Sequence, residues 1–153
     1  MMQNILRIVD KIFPVEIVHA HCDIPCGIYD PHTALLAAKT VLKMVQKIKE
    51  IPSHSTREEA LTAGNSLYRM VAVKEEHAQL CKKELLILWT DYFKSEHLHM
   101  FPDIHTVFWN AAKLCSKNKQ NIDSEAAQQL VDTVLRIKEM FDKAEEAKKR
   151  AGK

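Results

Sequence analysis

From position 34 onward, apolar side chains recur three and four residues apart in four separate blocks, the spacing of helices that turn one face inward. The first block holds Ala34, Leu35, Ala38, Val41, Leu42, Val45 and Ile48 and stops before Pro52. Asp30 stands where an N-cap belongs, and Pro31 takes a first helical position that needs no amide donor. Together they predict a helix over about residues 31–50. Ser55-Thr56-Arg57-Glu58-Glu59 carries the spacing of a capping box. A long second helix is predicted from there to about Phe93, with Gly64-Asn65 a weak point. Its expected inward stripe is Leu61, Leu67, Val71, His77, Leu80, Cys81, Leu85 and Leu88. Lys94–Phe101 reads as a loop, and Pro102-Asp103 opens a third helix with Ile104, Val107, Phe108, Ala111, Leu114 and Cys115. The polar run Ser116–Asp123 reads as the next connection. A fourth helix starts near Asp123-Ser124 and shows Ala127, Leu130, Val131, Val134, Ile137, Lys138 and Phe141. It ends on Lys148-Lys149-Arg150, cations that suit the negative end of a helix dipole. Amphipathic helices with short connections predict an all-α, up-down four-helix bundle over about residues 31–150.

Composition agrees and narrows the partners. The chain has 153 residues, 46% of them apolar, enough for one core, and only three glycines and five prolines. With 22 basic against 20 acidic side chains and no basic stripe, nucleic acid is not an expected partner. No apolar run is long enough to span a bilayer, so no membrane partner is expected either. Residues 1–20 form an amphipathic leader whose apolar stretch is broken by Arg7, Asp10, Lys11 and Glu16. Val18-His19-Ala20 looks like a signal-peptidase site, but a stretch so interrupted is not an export signal, and the protein is expected in the cytoplasm.

The chemistry concentrates just before the first helix, in His21-Cys22-Asp23-Ile24-Pro25-Cys26-Gly27-Ile28-Tyr29. Two thiols four positions apart, with an imidazole beside the first, can close on one transition-metal ion. If the chain were cut before His21, its α-amine, the Cys22 amide nitrogen and the Cys22 thiolate would form consecutive chelate rings. Cys26 would return across the turn with a second thiolate, and the His21 imidazole would approach axially. Such planar nitrogen and sulfur donation suits nickel or copper(II), whereas zinc prefers a closed tetrahedron. A zinc half-site or a Cys22–Cys26 disulfide turn are the plainer alternatives. Gly27 allows an unusual backbone angle on exit, and Tyr29 would place a phenol near the open face.

Elsewhere the plain readings prevail. Cys81 and Cys115 fall in helical runs and read as small buried hydrophobes. His97, His99 and His105 read as solvated or capping histidines rather than zinc ligands. Trp89, Tyr92, Phe108 and Trp109 read as core and subunit interface.

His21-Cys22-x-x-Pro25-Cys26-x-x-Tyr29 resembles the nickel hook of the nickel-containing superoxide dismutases. The likeness continues through Gly27 and Asp30-Pro31 to Leu88-Trp89-Thr90-Asp91-Tyr92-Phe93-Lys94 and covers essentially the whole chain, leader included. It implies a proprotein whose residues 1–20 are removed by a maturation peptidase acting at Ala20-His21, leaving residues 21–153 with a hook at 21–29. It implies one nickel ion per subunit, bound by His21, Cys22 and Cys26, in a homohexamer of four-helix-bundle subunits. Asp23 and Tyr29 would order the hook, with Tyr92 close by. The implied reaction converts two superoxide anions and two protons to O2 and H2O2 by cycling between Ni(II) and Ni(III), with Tyr29 near the open face. The precursor would be inactive, because Ala20 acylates the essential amine. Where some members orient the axial histidine with a glutamate and an arginine, this chain has Ala37 and His77. The rival reading is a non-catalytic nickel or copper carrier that uses the same hook.

Overall fold

The computed structural model describes residues 27–151, in which four α-helices form one bundle. They are α1 (His32–Lys49), α2 (Arg57–Ile87), α3 (Ile104–Gln120) and α4 (Ser124–Ala151). Each helix packs on its neighbours in sequence, and α1 closes the ring against α4, which is the up-down arrangement the pattern predicts. Three cross-links record the antiparallel course of α2 against α3: Lys74 to Asn118, Lys82 to Ser116 and Trp89 to His105.

The caps follow the sequence. Asp30 Oδ1 accepts the His32 amide at 2.7 Å, so the acidic residue before Pro31 satisfies a donor of the first turn. Thr56 and Glu59 form the reciprocal capping box of α2: Thr56 Oγ1 accepts the Glu59 amide at 3.2 Å, and the Glu59 carboxylate accepts the Thr56 amide at 3.2 Å. Asp123 Oδ1 accepts the amides of Glu125 and Ala126 at 3.0 and 3.1 Å and starts α4.

The core is Ala34, Ala38, Val41 and Val45 of α1, Cys81 and Leu85 of α2, Phe108 and Cys115 of α3, and Leu130, Val134 and Ile137 of α4, with their neighbours. Cys81 and Cys115 are free, buried thiols, as expected. Their mutual hydrogen bond and their burial push the Cys81 thiol well above its ordinary range, which removes the thiolate that oxidation needs.

Several expectations are corrected. The inward stripe of α2 does not begin at Leu61: no residue from Arg57 to Val73 is buried, and Leu61 and Leu67 are exposed. Lys74 lies against the C-terminal end of α3, so these turns run past it, by about 25 Å at the rise of an α-helix. Gly64-Asn65 does not interrupt the helix. The connection after α3 is shorter than the polar run from Ser116, because α3 continues to Gln120. The reason lies in tertiary contacts: buried Asn118 donates to the carbonyls of Leu114 and Ala126, and the Lys74 ammonium reaches the carbonyls of Asn118, Lys119 and Asn121. A buried cation thereby satisfies the end of a helix whose outer face is polar. Trp109, read as core and subunit interface, is exposed on the single chain and so is not core, with the Lys113 ammonium 4.6 Å from its ring centre. The helix expected to about Phe93 keeps α geometry only to Ile87 and then widens into a single turn, Leu88–Tyr92, closed by Phe93 N–H on Leu88 O at 3.0 Å, while the expected loop Lys94–Phe101 contains a short 3₁₀ turn, Ser95–His99.

Candidate metal centre

The wide turn matters because it rotates Tyr92 and Phe93 inward together. Tyr92 lies at the centre of an aromatic cluster, with ring centres 4.5 Å from Phe141, 4.9 Å from Phe93, 5.5 Å from Tyr29 and 5.8 Å from His97. The structure therefore brings together Tyr29 and Tyr92, two of the residues singled out in the sequence, across 63 positions of chain. His21, Cys22, Asp23 and Cys26 lie outside the described residues. Gly27 has φ +72°, a left-handed value that glycine adopts freely, as its place in the motif anticipated.

A cavity of about 460 Å³ opens at this point, lined by Gly27, Tyr29, Tyr92, Lys94, His97 and Lys148 among others. It faces the residues that directly follow Cys26. Burial, and then a hydrogen bond to Glu145, push the Tyr92 hydroxyl above the ordinary tyrosine range, so it stays a neutral phenol. His97 is held from behind, because its Nδ1 accepts the Lys94 amide at 2.9 Å. The amide can only donate, so the ring proton sits on Nε2.

Sequence reasoning read His97 as solvated or capping. It does cap, and it also walls the cavity, which nothing in its local sequence signals. Nothing in the sequence pattern marks Glu145. Its link to Tyr92 spans 53 positions, and it looks like any acidic residue on the outer face of α4. His105 accepts from Trp89 Nε1 at 2.9 Å, and among the described residues no group of three His, Cys, Asp or Glu side chains could hold a metal. Ala37 is core and His77 bonds the Val73 carbonyl through Nδ1 at 2.9 Å, so neither forms a charged pair in the manner of the glutamate and arginine of some family members.

A helical bundle with an aromatic-walled cavity at Gly27 and Tyr29, just after a sequence rich in histidine and cysteine, is compatible with a metalloprotein. The donor types there, one imidazole and two thiols, fit nickel or another soft-ligand transition metal. The chain belongs to the nickel-containing superoxide dismutase family, whose model matches residues 16–145 and so takes in the whole motif. It is 35% identical over 127 residues to a nickel superoxide dismutase of Streptomyces seoulensis, covering 81% of this chain and 87% of that one. To the corresponding protein of Streptomyces coelicolor it is 32% identical over 130 residues, covering 84% and 90%. A crystal structure of a nickel-containing superoxide dismutase in its oxidised state matches with a TM-score of 0.68 and 31% identity, over 82% of this chain and 99% of that one. A native nickel superoxide dismutase structure matches with a TM-score of 0.68 and 29% identity over the same shares. The chain is accordingly a nickel-dependent superoxide dismutase, and the carrier reading is not favoured.

Proposed function

We propose that the dismutase forms when the peptide bond between Ala20 and His21 is cut. One nickel ion is then held by the His21 amine and imidazole, the Cys22 amide nitrogen and thiolate, and the Cys26 thiolate. The observation that carries this assignment is the cavity bounded by Gly27, Tyr29 and Tyr92, which begins one residue after Cys26. Bound there, nickel supplies a one-electron redox couple.

The chain's own residues do the rest. Cleavage turns an amide nitrogen, which binds metals poorly, into an amine. Cys22 and Cys26 contribute two anionic sulfurs, and Asp23 orders the loop between them. Tyr29 fastens the loop to the aromatic cluster and offers its phenol at the open face. The Lys94 and Lys148 side chains on the cavity wall draw in the superoxide anion, an attraction that weakens as salt rises. The family likeness further supports a homohexamer and a dedicated maturation peptidase, and the charges that interrupt the leader support a cytoplasmic location. No helix among the described residues is long and apolar enough to cross a membrane.

The test combines intact mass, metal analysis, light scattering and a superoxide assay on matured and full-length protein. Matured chains starting at His21, with one nickel per chain and dismutase turnover, are the expected result. Full activity in chains that still begin at Met1 would sink the cleavage mechanism, and bound nickel without turnover would mark a carrier.

A further inference from the structure

Tyr92 is a phenol of the cavity wall whose hydrogen has a defined destination. Its hydroxyl donates to Glu145 Oε1 at 2.9 Å, and the same oxygen has the Lys148 ammonium at 3.8 Å. Glu145 does not line the cavity. It lines the adjoining groove with Tyr29 and Phe141. A phenol has one hydrogen, and here it points out of the cavity, which leaves lone pairs of the Tyr92 oxygen for the other side. His97 stacked on the Tyr92 ring at 21° and Phe93 edge-on to it restrict any swing of that ring.

We propose that Glu145 is a positioning residue for the dismutase reaction: by holding the Tyr92 hydroxyl hydrogen in the adjoining groove, it presents Tyr92 to the cavity as a neutral hydrogen-bond acceptor. This rests on the reading of residues 21–29 as the nickel hook. Ionised Tyr92 would set an anion in the wall that superoxide must approach. Glu145 opposes that ionisation by bonding the neutral form and by its own charge. The charged and titratable groups around the Tyr92 ring and its cavity are Tyr29 from the N-terminal segment, Lys94, Glu96 and His97 from the short turn, and Glu145 and Lys148 from α4. Of these, Glu145 alone receives the phenol hydrogen.

The experiment begins with the full-length chain, without metal. It has three tyrosines, so phenolate absorbance during alkaline titration resolves few components. Y92F should remove the component that ionises at highest pH and thereby assign it. E145Q and E145A should each move that component down by about one pH unit or more, the size of effect expected from removing a neighbouring negative charge. In matured, nickel-loaded protein, E145Q should lose superoxide turnover at lower pH than the parent does, with helical content unchanged. A Tyr92 component that stays in place in both variants, or coincident alkaline limbs, would overturn the proposal. Inactive parent protein would instead count against the dismutase reading, while the phenol titration would still decide the role of Glu145.

Discussion

Tyr29 and Tyr92 meet with ring centres 5.5 Å apart and planes tilted by 60°, which ties the stretch just after Cys26 to one end of the bundle. Tyr92 is 9% exposed and has four aromatic neighbours, so its ring carries the contact and its hydroxyl trims it. Y92A should cost about 3–5 kcal/mol in urea unfolding, the range for deleting a large buried aromatic side chain. Y92F, losing one hydrogen bond, should cost about 1 kcal/mol. Equal losses from the two variants would mean the ring packing is not what holds this end together.

Lys74 is nearly fully buried, with its ammonium among the carbonyls of Asn118, Lys119 and Asn121. K74M keeps the aliphatic stem but leaves those acceptors without their donor. Equilibrium unfolding should show a loss of about 1–3 kcal/mol, and amide exchange should quicken first around residues 114–121. A variant as stable as the parent would show that water satisfies the end of α3 equally well.

Two surface carboxylates give the pH dependence a defined sign. Asp123 is held below its ordinary range chiefly by the Ala126 amide, then by Lys117, and Glu59 chiefly by the amides of Ser55 and Thr56. A depressed folded-state value means that the caps stabilise above the unfolded carboxylate pKa and are lost as pH falls through the folded one. Acid titration followed by circular dichroism should therefore show the parent losing stability through and below the normal carboxylate range. D123N and E59Q should each flatten that slope; an unchanged slope in both would count against the capping account.

The projecting part of α2 makes the opposite prediction to the core. L61S should leave stability within about 0.5 kcal/mol of the parent, as exposed substitutions do, whereas L85A should cost about 2–5 kcal/mol. Amides of residues 57–73 should also exchange faster than those of residues 78–88. Matching protection in the two segments would require a partner surface on the first.

Gly27 lies at φ +72°, and no described residue comes within 4 Å of where a Cβ would stand. G27A is thus strained by its backbone, not by a clash, at about 1–2 kcal/mol. Its effect should appear in nickel affinity of the matured protein far more than in unfolding of the bundle. The reverse ranking would place Gly27 outside the hook.

Much of this was legible in the sequence because the signals are local. Asp30, Thr56 with Glu59, and Asp123 each bond amides within three positions, and apolar spacing set the helix faces. Gly27 followed from its place behind the second cysteine. What could not be read depends on distant partners. Lys74 and Asn118 look like ordinary surface residues until α2 and α3 are laid side by side, and Glu145 acquires its role only from Tyr92. Leu61 and Leu67 mislead for the converse reason: periodicity marks a face fit for burial but does not say whether the same chain covers it.

The tyrosine contact has a thermodynamic corollary. Tyr29 belongs to the motif proposed to hold nickel and packs against the core, so whatever orders the first should weigh on the second by mass action. A ligand present at a hundred times its dissociation constant adds about 2.7 kcal/mol to the folded state that binds it. Calorimetric melting of the matured chain, scanned against free nickel, would then read out metal affinity with no superoxide in the cell. Breaking the Tyr29–Tyr92 contact should uncouple the two scales, leaving a bundle whose melting no longer registers the ion.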